Sequence, residues 1–255
     1  AYSRQWENSR LAALHRMAGG AAIVLAAVDA MVQRCIPREV LEGAVFTLEV
    51  GGQYDVTALA KQLTAAGYSR CDQVEGPGQF ALRGGILDAE QPVRCEFFDD
   101  ELDSMGDFAV NTQRRVKNRR VLTVLPASEL LPYWAEDSAE KAAARIEETA
   151  KRLKKEHAAL RQRSESDAAL LRQGITPPGG DRYMAAVYPE MATAFDYLAA
   201  DAVVCVSEAG RVQEALRAAL WQLRQDVTAA AEGGMMAAAF GELMLTEGGL
   251  EAALG

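Results

Sequence analysis

The side chains able to do chemistry fall in three places. Acidic residues cluster at Asp99, Asp100, Glu101 and Asp103, basic residues at Arg114, Arg115, Lys117, Arg119 and Arg120, and a third group combines Arg83, Arg94 and Phe98. Carboxylates so close together could hold a hard cation. They lie in "FFDDELD", however, where Asp99-Asp100 also reads as a tight hairpin turn, and the turn is the simpler account. The basic residues fill five of the seven positions of "RRVKNRR", a candidate nucleic-acid contact on a hairpin whose plainer reading is a solvated turn. Nucleophilic catalysis through a Ser/His or Cys/His pair would need His15 or His157, both on charged helical stretches. The four cysteines, Cys35, Cys71, Cys95 and Cys205, have no C-x-x-C spacing, which disfavours a zinc site or a disulfide framework. No G-x-x-x-x-G-K-[ST] occurs, and "EGPG" and "RGG" read as turn glycines, so no loop is suited to cradle nucleotide phosphates. No catalytic constellation emerges, and the chain is expected to be non-enzymatic.

The third group owes its place to strand periodicity, since successive side chains of a strand point to opposite faces. In "PVRCEFF", Val93, Cys95 and Phe97 share one face, and Arg94, Glu96 and Phe98 the other. In "QFALR", Phe80 and Leu82 go one way, and Gln79, Ala81 and Arg83 the other. If Val93, Cys95 and Phe97 pack inward with Phe80 and Leu82, then Arg83, Arg94 and Phe98 face out. Arginine and aromatic anchors on a rigid sheet are the residue types that dominate protein interfaces. Alternation alone leaves open the simpler reading, in which Phe98 is covered by a flanking domain and the arginines are solvated.

The elements that would position these residues follow from pattern. "SRQWENSRLAALHRMA" is helical by period, with Trp6, Leu11, Leu14 and Met17 on one face. "AAIVLAAV" reads as a buried strand, and "DAMVQRC" as a short helix capped by Asp29 and closed before Pro37. From Val45 the pattern becomes a compact α+β module. "VFTLEV" alternates, Asp55 caps a helix through "VTALAKQLTAAG" with Gly67 at its C′ end, and "SRCDQVE", "QFALRGGILD", "PVRCEFF", "ELDSMGDF" and "VLTVLP" read as strands. After Pro132, "AEKAAARIEETAKRLKKEHAALRQR" reads as one helix with Ile146, Leu153 and Leu160 seven apart, and with Glu147–Lys151 and Glu148–Arg152 pairs on its wet side. "GITPPGGD" breaks it, "DAVVCVSE" reads as a second buried strand, and a long helix spans Arg211 to Ala231. The expected fold class is α/β, a helix-and-strand layer interrupted by a small α+β domain with a mostly antiparallel sheet. The boundaries are 1–43 for the first part of the layer, 44–132 for the inserted domain, and 133–255 for a helical segment and the return to the layer.

Composition bounds the function classes. Of 255 residues, 49% are hydrophobic and 25% charged, ordinary for a globular protein. With 27 basic against 36 acidic residues the net charge is −9, which disfavours sequence-independent nucleic-acid binding. The longest apolar run, "AGGAAIVLAAV", is too short to span a bilayer. The N-terminus lacks a charged-then-apolar secretion signal, so a cytoplasmic location is expected.

"GYSRCDQVEGPGQFALRGGILD", "PVRCEFFDDELDS" and "NTQRR…VLPASELLP" together resemble the UvrB-homology region of the bacterial transcription-repair coupling factor family. "RQWENSRLAALHRM" resembles that family's segment ahead of the module; the likeness is strongest over Val45 to Pro132 and fades after about Asp137. The resemblance implies a fragment of an ATP-driven DNA translocase that displaces stalled RNA polymerase from double-stranded DNA and recruits excision repair. ATP and Mg would belong to motor domains elsewhere in the parent. It also implies that the α/β layer is a degenerate, P-loop-type helicase-like domain that has lost nucleotide binding. The inserted domain would dock UvrA, with the family's contacting positions falling on Arg83, Arg94 and Phe98. Relatives usually carry Gly-Asp-Glu where this chain has Asp99-Asp100-Glu101; aspartate tolerates the left-handed conformation, so the turn is expected to survive.

Overall fold

A computed structural model describes residues 4–20, 23–83, 86–89, 93–109, 111–112, 114–134 and 138–254, with the backbone alone at 4, 83, 86–89 and 138. The glycine pair Gly84-Gly85 and the short segment before Pro92 lie outside the described residues. In chain order the elements are α1 (Arg4–Ala18), α2 (Val28–Val32), α3 (Arg38–Ala44), β1 (Phe46–Glu49), α4 (Val56–Ala65), β2 (Ser69–Arg70) and β3 (Gln79–Arg83). There follow β4 (Ile86–Ala89), β5 (Val93–Phe98), β6 (Glu101–Ala109), β7 (Arg114–Arg119), β8 (Val121–Val124), α5 (Ser138–Lys151), α6 (Ala158–Arg172), α7 (Met184–Val187), α8 (Ala209–Glu232) and α9 (Glu247–Leu254). The chain divides into two compact units, one of Ala1–Ala13 and Leu41–Trp134, the other of Leu14–Val40 and Ala135–Gly255.

The first unit is a six-stranded sheet, β2-β3-β4-β5-β6-β7, with a separate two-stranded sheet, β1-β8. Pairing is antiparallel except for the short parallel pair β2–β3. Helix α4 covers one face. Asp55 caps it as its residue type predicts, accepting from the backbone N–H of Thr57 at 2.7 Å and Ala58 at 3.0 Å. Gly67 ends it at φ +88°, a conformation that a Cβ would strain. Leu59 and Leu63 from this helix, with Leu48, Phe80, Val93, Cys95, Leu102 and Met105 from the strands, form the main core. Each such large side chain contributes roughly 1.5–3 kcal/mol by leaving water. Glu7 on α1 ties in the segment after β8, accepting from the Ser128 hydroxyl at 2.9 Å and the Glu129 N–H at 2.8 Å.

Several expectations need correction here. "QFALRGGILD" supplies two antiparallel strands, β3 and β4, not one. "SRCDQVE" supplies only the two-residue β2. "RRVKNRR" is not a turn but strand β7 and the residue after it, held by a ladder to β6. On α1, Leu11, Leu14 and Met17 are buried, but Trp6 is 77% exposed.

In the second unit α5 and α6 form an antiparallel pair where one continuous helix was expected. The break is bridged from the next helix. Arg161 reaches back from α6 and donates to the carbonyls of Ala150, in the last turn of α5, and Leu153, just after it, satisfying acceptors that the helix end leaves without helical partners. Ile146 and Leu160 are both buried, but on different helices. Arg172 then clamps the pair, donating to Glu140 at 2.9 Å and to Glu147. The Glu147 carboxyl is held below its ordinary range, chiefly by that hydrogen bond from Arg172. Glu147 is therefore spent across the pair, while the expected Glu148–Arg152 pair does form. Lower in the unit, the buried Asp167 accepts from Tyr183 Oη at 2.7 Å and Arg182 at 2.6 Å.

The segments flanking the inserted domain meet within this second unit. Cys35 and Ala192 exchange backbone hydrogen bonds, Tyr197 donates its hydroxyl to the Ile36 carbonyl at 2.8 Å, and α2, α8 and α9 share a small apolar cluster. The strands expected in "AAIVLAAV" and "DAVVCVSE" do not form. Residues 23–27 and 202–206 adopt neither helix nor ladder, and Leu25 and Val203 are 94% and 87% exposed. A run that is apolar on both faces is stable as a strand only between neighbours and covering layers. Among the described residues, none of these is supplied. Asp29 is also not a cap: it lies inside α2, which starts after Ala27, and its carboxylate accepts from the next residue's N–H at 3.0 Å.

Candidate docking face

Strand β5 carries the centre of the face. Val93 and Cys95 are buried and Phe97 is half-buried against the main core, so Arg94, Glu96 and Phe98 emerge on the opposite side, as alternation requires. Phe98 is 76% exposed. Its footing is rigid. Phe97 meets Tyr54 edge to face, with ring centroids 6.5 Å apart. The loop before α4 grips the hairpin through Gly51 N–H to the Leu102 carbonyl, 2.8 Å, and Tyr54 N–H to the Asp100 carbonyl, 2.6 Å. Asp99 makes the turn at φ +51°, the left-handed conformation expected of it.

Register places the arginines. Arg94 stands opposite Asp88 on β4 and Gly106 on β6. Arg83 on β3 stands opposite Ile86, which stands opposite Glu96, so Arg83 occupies a row of the same face. The Arg94 guanidinium lies over the Phe108 ring, 4.7 Å from its centroid. Arg94 is thus half-buried rather than fully solvated. Ala81, expected to face solvent, is instead buried: Val74 and Phe108 cover it in a small second cluster on this outer side. The cause is the register. A shift between Glu96 and Phe97 leaves Asp103 as the extra residue on β6, so Leu102 and Met105 both point to the main core although three apart. Phe108, three residues further, then points outward.

Two shifts and one glycine also bring in residues that the sequence pattern did not single out. A second shift, between Asp107 and Phe108, leaves Val116 as the extra residue on β7. Arg115 pairs with Phe108 and folds across the sheet, donating to Glu96 Oε2 at 2.9 Å and to Ser104 Oγ at 2.9 Å. Ser104 itself donates to Glu96 at 2.6 Å. Gly106 makes the crossing possible: a Cβ there would meet Arg115 Cγ and Cδ at 3.2 Å and the Lys117 carbonyl oxygen at 2.5 Å. Its lone place inside an alternating strand was the available signal.

The basic strand is divided in its commitments. Arg115 is engaged as described, and Arg119 pairs with Asp107. Arg114 and Lys117 are exposed on the outer strand of the sheet, and Arg120 is exposed just after it. At the acidic hairpin, Glu101 accepts weakly from Gln53 at 3.4 Å. Among the described residues, no three His, Cys, Asp or Glu side chains come together as a metal-holding group. The four cysteines are free thiols. No described helix is long and apolar enough to cross a membrane.

Nucleotide phosphates, which the resemblance assigns to the parent protein, do not suit the two places where a helix begins in the second unit after an apolar run. Asp29 occupies the first turn of α2, and Glu208 is the residue at the start of α8. Each puts a carboxylate where a phosphate would need backbone donors and positive charge.

Residues 46–130 match the UvrB interaction domain family. Over the wider chain, the transcription-repair-coupling factor of Bacillus subtilis is 31% identical over 222 residues, 83% of this chain and 19% of that protein. That of Haemophilus influenzae is 31% identical over 197 residues, 75% of this chain and 16% of that protein. That of Escherichia coli is 35% identical over 128 residues, 48% of this chain and 11% of that protein. The chain thus spans at most about a fifth of the length of these relatives.

Proposed function

We propose that this chain, whose residues 46–130 match the UvrB interaction domain family, is a non-catalytic recruitment module that docks UvrA through Arg83, Arg94 and Phe98. The observation that carries this reading is Phe98, a large apolar side chain 76% exposed on a hairpin pinned from behind. Leaving a phenylalanine ring in water on an ordered support is unfavourable unless something covers it, and preorganised aromatic anchors lose little entropy on docking. Arg94, with its guanidinium stacked on Phe108, is likewise held ready for an acidic partner surface. The whole protein, in this reading, is a cytoplasmic ATP-dependent translocase of transcription-coupled nucleotide excision repair. Its ATP and Mg sites, and its contacts to RNA polymerase and double-stranded DNA, lie in other domains. The apolar segments 23–27 and 202–206, which have strand composition but no ladder here, would then pair only where a degenerate helicase-like layer elsewhere in that protein supplied their neighbours. The test is calorimetric titration of purified UvrA with the chain and with its Arg83→Ala and Arg94→Ala variants. Saturable binding that each substitution weakens supports the proposal, and equal binding by all three refutes it.

A second reading rests on the exposed Arg114 and Lys117 of the outer strand and Arg120 just after it, as contacts for nucleic-acid phosphates. Three contacts would make log affinity fall with log salt at a slope of about −2 to −3. Duplex binding without that salt dependence, or no duplex binding at all, removes this reading.

A further inference from the structure

Glu96 is a carboxylate in the middle of a face otherwise marked by arginine and phenylalanine. It lies on β5 between Arg94 and Phe98, each two residues away on the same side, and its row on the sheet includes Arg83. Two residues along a strand are about 7 Å. At that range an uncommitted carboxylate would draw on the Arg94 guanidinium and add unfavourable charge against any acidic partner surface. In the structure this carboxylate is committed: Oε2 accepts from Arg115 Nη2 at 2.9 Å and from Ser104 Oγ at 2.6 Å. Arg115 comes from two strands away and reaches Glu96 only because Gly106 leaves room for its stem.

We infer that Arg115 is a positioning residue of the docking face, neutralising Glu96 and turning it away so that Arg94 and its neighbours present positive charge to an acidic partner surface. This rests on the UvrA-docking reading above. It also gives one member of the basic run a role distinct from nucleic-acid binding. Arg115 need not touch the partner; it acts through Glu96. The dependence has a signature that simple loss of a surface charge lacks: once Glu96 is made neutral, Arg115 is no longer needed.

The experiment is titration of UvrA with the unsubstituted chain and five variants, Arg115→Ala, Arg115→Lys, Glu96→Gln, the Arg115→Ala/Glu96→Gln double variant, and Phe98→Ala, each with its thermal melt. A partly exposed pair of this kind governs affinity modestly, so Arg115→Ala is expected to weaken binding about five- to tenfold with little change in melting temperature. The double variant is expected to return to within about twofold of the starting affinity, so that the two substitutions are non-additive, as directly coupled residues are. Arg115→Lys, which keeps the charge but not the planar fork, should fall between. Arg115→Ala binding as well as the parent, while Phe98→Ala fails, overturns the inference and leaves the docking reading standing. Weakening by Arg115→Ala that Glu96→Gln does not relieve also overturns it, because Arg115 would then contact the partner itself. Unchanged binding by Phe98→Ala removes the docking reading and the inference with it.

Discussion

Phe97 and Phe98 are adjacent and chemically identical, yet the structure assigns them opposite consequences when truncated. Phe98→Ala removes a ring that is 76% exposed and so contributes little to the fold; its stability cost should stay within about 0.5 kcal/mol. Its effect on docking is larger. A phenylalanine presents about 200 Å² of surface, of which about 150 Å² remains here for a partner to cover. At ~25 cal/mol/Å² that is about 3–4 kcal/mol, and ordering the side chain takes back about 0.5–1.5 kcal/mol. The net of about 2–3 kcal/mol corresponds to roughly 30- to 150-fold in affinity for UvrA. Phe97→Ala does the reverse. It deletes a ring packed on the main core and edge to face with Tyr54, at about 2–4 kcal/mol of stability. Calorimetric titration at a temperature where both variants are folded, paired with urea unfolding, separates the two effects. A Phe98→Ala variant that binds like the parent, or that unfolds as readily as Phe97→Ala, refutes the assignment of Phe98 to an open docking face.

Other expectations concern the scaffold. Glu147 has its pKa lowered in the folded state, chiefly by Arg172, so its stabilising effect is present above the unfolded value of 4.5 and is lost as pH falls through the folded value. Acid unfolding followed by circular dichroism should therefore show a stability loss below about pH 4.5 that Glu147→Gln flattens. Asp167→Ala leaves the Tyr183 hydroxyl and the Arg182 guanidinium without their shared acceptor, and should cost about 2–4 kcal/mol in urea unfolding. Gly106→Ala places a methyl 2.5 Å from the Lys117 carbonyl oxygen and should cost about 1–3 kcal/mol, with the displaced Arg115 visible as a shifted side-chain resonance in NMR spectra.

Much of the first unit was legible because its signals are local. Asp55 and Gly67 bracket α4 through capping chemistry that involves only neighbouring residues. The inward set Phe80, Val93 and Cys95 follows from a period of two, and the exposure of Phe98 follows from the same count. Asp99 takes the left-handed turn that its side chain tolerates. What failed was continuity. "AEKAAARIEETAKRLKKEHAALRQR" has sound helical periodicity throughout, and nothing local reports that Arg161 will fold back to take the carbonyls of Ala150 and Leu153. The apolar runs at 23–27 and 202–206 have strand composition, but a strand exists only when a neighbour supplies its hydrogen bonds.

The amino-acid sequence by itself determined which side chains alternate, where α4 is capped, and that Arg94, Glu96 and Phe98 share a side, because these depend on backbone geometry over a few residues. Tertiary structure alone decided what that side contains. Two register shifts between strands turned Phe108 outward beneath Arg94, covered Ala81, and laid Arg115 across Gly106 onto Glu96. Register is a relation between strands, set by how their core faces pack together, and a shift of one residue reverses which side chains meet.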